Sequence, residues 1–192
     1  MNRLWYNYTM SAKKKQLDII GATEHVTIGS YKNIPAKIDT GADSSSIWAS
    51  HIQVDKDGTL LFHLFDTKSP FYTGEDFKRT DYKVAVIRNS SGKEEIRYRT
   101  HLKVTIGGRT IKALFFLSDR SRNNFPILIG RRTISGKFYV DVSKNHTPIP
   151  SKNPKTKIIQ RRLQENPYEF HQKYIKKLSG NPDNIKLKRK EQ

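Results

Sequence analysis

Residues 36 to 49 read Ala36-Lys37-Ile38-Asp39-Thr40-Gly41-Ala42-Asp43-Ser44-Ser45-Ser46-Ile47-Trp48-Ala49. An apolar run delivers one acidic residue to a Thr-Gly pair, small hydroxylated residues follow, and apolar residues then resume. Ile38 therefore lies on a strand that carries Asp39 into a turn. Gly41 permits a tight backbone, and the Thr40 hydroxyl can lock the loop to a second copy across a dimer axis. Two readings of Asp39 are open at this point. In one, its carboxylate bonds the backbone of its own loop, as Asx turns do. In the other, it is half of a facing pair that shares a proton and activates a water. The chain carries one copy of this stretch, so the second reading requires a homodimer.

Outward from this loop, the middle of the chain is a succession of short runs rich in β-branched and aromatic residues. These are His25–Ile28, Ala36–Ile38, Leu60–Phe65, Tyr82–Ile87, Ile96–Ile106, Thr110–Leu117 and Pro126–Ile129. Many alternate polar and apolar, as strands with one buried face must. Asn89-Ser-Ser-Gly92 and Gly107-Gly108 fall between runs at hairpin spacing. No periodic helix is expected before residue 150. The pattern predicts an all-β barrel or sandwich whose successive strands mostly pair as hairpins. Ile47 and Trp48 are expected in its core.

The ends differ. The chain of 192 residues holds 36 basic and 18 acidic side chains, and the two ends supply most of the excess. Residues 1–16 contain four basic and no acidic residues, and residues 151–192 contain 12 basic against four acidic. Such arms attract polyanions, which makes ribosome association through the basic tails an expectation. The reading divides the chain into a basic N-terminal arm (1–16), one β domain (17–148) and a basic C-terminal extension (149–192). In the extension, residues 157–164 and 167–178 can be drawn as short helices. Asn166 would cap the second, Pro167 suits its first turn, and Gly180 would stop it. There are no cysteines, which excludes disulfides and thiolate catalysis. No run approaches the roughly 18 apolar residues of a membrane span, and the start lacks a signal-peptide core, so a cytoplasmic location is expected.

A second element decides between the two readings of Asp39. Phe125-Pro-Ile-Leu-Ile-Gly130-Arg131-Arg132 lies about 90 residues downstream. Its apolar-apolar-Gly-Arg form resembles the strand that retroviral-type aspartic proteases pack beside the catalytic loop. Two further blocks extend the likeness: Ile87-Arg-Asn-Ser-Ser-Gly-Lys-Glu-Glu-Ile-Arg-Tyr98, and Leu102-Lys-Val-Thr-Ile-Gly-Gly-Arg109 with Phe116-Leu-Ser-Asp-Arg-Ser-Arg122. From about residue 18 to 145 the chain is similar to the retropepsin-like RimB family, also known as RimK/LysX-associated proteins or ATP-dependent zinc proteases. The resemblance implies a single-lobe closed barrel of the acid protease fold and a homodimer. It implies Asp39 as the catalytic aspartate, with Thr40, Gly41 and Ala42 supporting the loop. It also implies a link to RimK-type ligases, which add glutamates to protein tails, and hence acidic substrates. Ser44-Ser45 stands where relatives commonly have Thr-Ser, and the long basic extension is additional.

The remaining candidates follow from charge. Arg131, Arg132, Arg120, Arg122, Lys37 and Arg88 would suit acidic peptides, because guanidinium groups pair with carboxylates through two parallel bonds. Arg131 has an equally open structural reading, a bridge to Asp43 or Asp119 beneath the loop. Asp43 and Ser44 are candidate subsite or structural residues. The segment from Gly58 to Gly74 is a candidate for a loop that closes over a peptide. The six histidines lack metal-ligand spacing and no Gly-Lys-Ser/Thr phosphate loop is present, so neither zinc nor ATP is expected. The alternative function is a catalytically silent barrel that serves as a ribosome- or ligase-binding module.

Overall fold

A computed structural model describes residues 17–88, 92, 94–148 and 154–175. They fall into two compact units, residues 1–149 and 150–192.

The first unit is built on ten strands: β1 (Asp18–Ile28), β2 (Tyr31–Asp39), β3 (Ser45–Val54), β4 (Leu60–Leu64), β5 (Asp76–Arg79), β6 (Tyr82–Arg88), β7 (Glu94–Ile106), β8 (Arg109–Ser118), β9 (Ile127–Gly130) and β10 (Phe138–Asn145). Six of them close in the order β1-β2-β9-β3-β8-β7, with β7 returning to β1. Closure removes the open edges a flat sheet would leave. β10 flanks β1, β6 flanks β7, and the β4–β5 hairpin hangs from β3. This is the retropepsin-like all-β barrel the residues imply.

The hairpins form where local chemistry allows them. Gly107 and Gly108 both take positive φ, 53° and 78°, the conformation a two-residue β7–β8 turn demands, and Ile106 pairs Arg109 across it. Along β2, Ile34, Ala36 and Ile38 point inward while Lys37 faces solvent. Ile34, Ile47, Leu60, Phe62, Phe65, Val104, Phe115, Ile127 and Ile129 are essentially inaccessible and make one continuous core. Trp48 packs edge-on to Phe65 within it, ring centroids 6.3 Å apart. The Gly58–Gly74 segment is therefore anchored: β4 lies inside it, and Phe71 and Tyr72 pack against the core. That burial argues against a loop that swings over a peptide.

Three strands and one helix were not expected. β3, β5 and β10 lie where the sequence carries serines, charges or a short apolar run. A single turn of helix, α1 (Arg131–Ile134), follows β9 directly. It forms because Gly130 ends the strand and its first amides find acceptors in the Asp39 loop.

In the second unit, α2 (Pro154–Glu165) is followed by α3 (Pro167–Phe170), which continues as a wider π-helical turn at His171–Ile175. α2 begins three residues before the expected start. Asn166 caps α3 as read, its side chain accepting from the Glu169 amide at 3.0 Å. Phe170 and Tyr174 stack at 5.0 Å, the four-residue spacing the sequence shows. The expected residues 176–178 and the Gly180 stop lie outside the described residues, as does the N-terminal arm. No helix among the described residues is long and apolar enough to cross a membrane.

Gly130 tests the fold most directly. A Cβ there would sit 2.5 Å from the Ser44 carbonyl carbon and oxygen, backbone atoms that cannot step aside. Gly130→Ala is expected to cost about 3 kcal/mol or more, the upper range for overpacking, read as a lowered midpoint in thermal or urea unfolding.

Candidate active site

Parallel pairing of β2 with β9 sets the site. Asp39 stands in register with Gly130, so the ends of two strands distant in sequence lie side by side. The chain leaves β2 at Asp39, loops through Thr40–Ser44 and re-enters the barrel as β3 between β9 and β8.

Backbone groups hold the loop. Arg131 and Arg132 donate their amides to the carbonyls of Ala42 (2.8 Å) and Asp43 (3.2 Å). These are first-turn amides of α1, which have no partner within a helix. Beneath them Ser45 is fully buried, accepts from the Gly130 amide at 3.0 Å, and shares a 2.7 Å hydroxyl bond with Thr133. Strand, loop and helical turn are thus tied at one point.

Within this frame one carboxylate oxygen of Asp39, Oδ1, accepts from the amides of Gly41 (3.1 Å) and Ala42 (3.2 Å). The Asx arrangement and the presented carboxylate therefore coexist: the bonds fix the side chain's orientation while Asp39 remains partly accessible. A Cβ on Gly41 would meet Oδ1 at 3.4 Å. Thr40 and Gly41 are exposed at the loop's outer edge, and Thr40 makes no side-chain hydrogen bond among the described residues.

Asp43 takes a structural place. Its carboxylate pairs closely with Arg131 and lies 3.5 Å from Arg132. All three side chains are about half exposed or more, so each pair contributes about 1 kcal/mol or less. The loop's hold comes mainly from the buried Ser45 bonds. Arg131 and Arg132 are nonetheless engaged, Asp43 being the acidic partner under the loop. Asp119 is elsewhere: its carboxyl is held below its ordinary value chiefly by hydrogen bonds from Ser121, with Arg122 and Lys68 adding to the effect. Lys37 is exposed on β2, and Arg88 is bonded to Glu94.

Arg120 is the candidate cation that stays near Asp39. It is half-buried, donating from Nη1 to Ser46 Oγ (2.8 Å) and from Nε to the Phe125 carbonyl (3.1 Å). Burial and then repulsion from Arg97 push its pKa below the ordinary value, while attraction to Asp39 opposes them. Beside Ala42 and Ser44 opens a cleft of about 440 Å³, walled by Ile87, Arg97, Phe116 and Leu128. Arg97 and the buried Ser45, Ser46 and Thr133 were not singled out in the sequence. The signal for Arg97 was the alternation Arg97-Tyr-Arg99, which sets two arginines on one face of a strand.

The RimB-like family, described as retropepsin-like aspartic endopeptidase RimB, matches residues 19–151. The chain belongs to that family. A curated relative from Shewanella pealeana, described as a probable alpha-L-glutamate ligase, is 30% identical over 115 residues. One from Desulfotalea psychrophila with the same description is 28% identical over 111 residues. These matches take 58% and 56% of this chain but 25% and 24% of the ligases, so the chain spans about a quarter of their length. A crystal structure of a Legionella pneumophila protein of unknown function superimposes with a TM-score of 0.53 at 25% identity, covering 69% of this chain and 98% of that one.

Zinc, which a common name of the RimB-like family invokes, does not fit this donor set. Arg120 is the charged side chain whose field reaches Asp39, and among the described residues no three His, Asp or Glu side chains converge. His63 is held by Asp76 and Tyr72, and His146 by Glu24.

Ser45→Ala removes the acceptor of a buried amide and the partner of Thr133. It is expected to destabilise the chain by about 1–3 kcal/mol, with Thr133→Ala adding little on top of it in a double-mutant cycle followed by urea unfolding.

Proposed function

We propose that the protein is an aspartic endopeptidase that works as a homodimer, its water activated by two Asp39 carboxylates. The observation that carries this reading is Asp39 itself: oriented by two backbone amides, partly open to solvent, and mounted on a loop clamped by the buried Ser45–Gly130–Thr133 bonds.

Each chain offers one such carboxylate, and the chemistry takes two. Like charges a few ångströms apart repel, so the two carboxylates hold one proton between them. The ionised member takes a proton from the attacking water while the protonated member polarises the scissile carbonyl. A tetrahedral diol forms and collapses as the amine leaves with a proton. No acyl-enzyme is involved. The exposure of Thr40 beside the carboxylate supports a contact with its counterpart from the other chain. Support for a second copy also comes from Ile19 and Tyr139, each 61% exposed and paired in register between β1 and the edge strand β10. Because β1 runs antiparallel to β2, the start of β1 lies at the end of the barrel that carries Asp39.

The substrates are read as acidic, glutamate-rich protein tails. Relatives of this domain form about a quarter of proteins described as alpha-L-glutamate ligases. Hydrolysis of the amide bonds such a ligase makes is the complementary reaction.

In a cleavage assay with glutamate-rich peptides, Asp39→Asn is expected to lower kcat/KM by about 10³-fold or more without changing the unfolding midpoint by more than a few degrees. Sedimentation of the native chain should give twice the monomer mass at the concentrations where cleavage is seen. Equal cleavage by the variant, or full activity from a strict monomer, would overturn the reading.

A further inference from the structure

We propose that Arg97, which lines the cleft beside the Asp39 loop, forms with the adjoining Arg99 and Arg120 a carboxylate-binding subsite that takes an acidic side chain of a bound peptide. This rests on reading the cleft as a peptide site, though not on catalysis.

The barrel's register assembles the three residues. Arg97 and Arg99 are two apart on β7 and so share a face. Arg99 stands opposite Phe116 of β8, and Phe116 stands opposite Ser46 of β3. Ser46 Oγ in turn accepts from Arg120. A row across three neighbouring strands thus connects the hairpin arginines to the residue beside Asp39.

The charge in this row is not balanced from within. Arg97, Arg99 and Arg120 are all half-buried. Arg120 donates only to neutral oxygens, those of Ser46 and Phe125. The Arg99 guanidinium lies over the Phe116 ring, 5.8 Å from its centroid. Arg97 alone reaches a carboxylate, Glu95 at 2.8 Å, itself 57% exposed at the rim. The Nε atoms of Arg97 and Arg99 are buried without a hydrogen-bond acceptor among the described residues. Of the other carboxylates nearby among the described residues, Asp43 is paired with Arg131 and Arg132 and Glu94 with Arg88, while Asp39 attracts Arg120 without a hydrogen bond to it.

Partly desolvated guanidinium groups that repel one another, with donors unfilled, are costly to assemble unless an anion joins them. Structural arginine clusters carry that anion in their own chain. Here Arg97 lines an open cleft whose wall mixes the polar Arg88, Asp43 and Ser46 with the apolar Ile87, Phe116 and Leu128, and Arg99 and Arg120 adjoin it through Phe116 and Ser46. A glutamate or aspartate side chain supplies two oxygens that match the guanidinium fork, with an aliphatic stem against the apolar wall.

The test uses the full-length Asp39→Asn protein and two fluorescein-labelled peptides that differ only in glutamate against glutamine. The expected result is about tenfold tighter binding of the glutamate peptide, the size of a few charge-assisted bonds. Arg97→Gln and Arg120→Gln should each bring that ratio toward one. Lys188→Gln with Arg189→Gln, which removes more charge from the basic tail, should leave it unchanged. Arg97 stands at the rim, so its variant keeps the test alive if the Arg120 variant does not fold; thermal unfolding reports which has. A ratio unmoved by the cleft variants, or lowered equally by the tail variant, overturns the subsite. The native chain separates the two readings: Asp39-dependent cleavage with no glutamate preference sinks the subsite alone. Arginine-dependent binding without cleavage sinks the peptidase alone.

Discussion

Everything at the site depends on the close approach of Gly130 to the backbone of Ser44. With no side chain at 130, the end of β9 comes within van der Waals range of the loop, its amide reaches Ser45 Oγ, and the next two amides reach the Ala42 and Asp43 carbonyls. Those bonds decide where α1 starts and where β3 re-enters the barrel. The orientation of Asp39 is a further consequence, because Gly41 and Ala42 offer it their amides only while the loop is held in that shape. The exposed Asp43 pairs decorate this joint and contribute little to it.

The joint was legible in the sequence through a resemblance: Asp39-Thr-Gly closing one apolar run and Gly130-Arg131 closing another are similar to the loop and strand that retroviral-type aspartic proteases pack together. The strands with clear alternation, the second half of β7 and the first half of β8 above all, were equally plain. β3 was not, since Ser45 and Ser46 are poor strand formers that earn their place only by bonding across to Gly130, Thr133 and Arg120. Its first five residues are all buried because neighbours cover both faces, so no alternation survives there. β10 escaped for the opposite reason: as an edge strand it is largely exposed beyond Phe138, and its serine and lysine read as loop.

The arginines divide by environment in a way their spacing along the chain hides. Arg131 and Arg132, which follow Gly130 at the end of β9, pair with Asp43 in solvent. Arg97 and Arg99 are more than 50 residues from Asp39 in sequence, yet barrel closure brings their strand to the cleft, where partial burial makes each charge count for more. Separation along the chain from Asp39 is thus a weak guide to a charge's influence on its loop. Strand register is a better one, since it determines which side chains share a face and a dielectric environment.

The β2–β9 pairing also sets when the site can exist. Asp39 is synthesised early, but its loop has no clamp until Ile127–Gly130 has emerged and paired with Ala36–Asp39 in parallel. Contacts of such long sequence separation form late, because the intervening chain must first give up its freedom. A nascent or C-terminally truncated chain therefore carries the aspartate without its mount. The shape of the loop is thus a property of the completed domain, set by the order of synthesis.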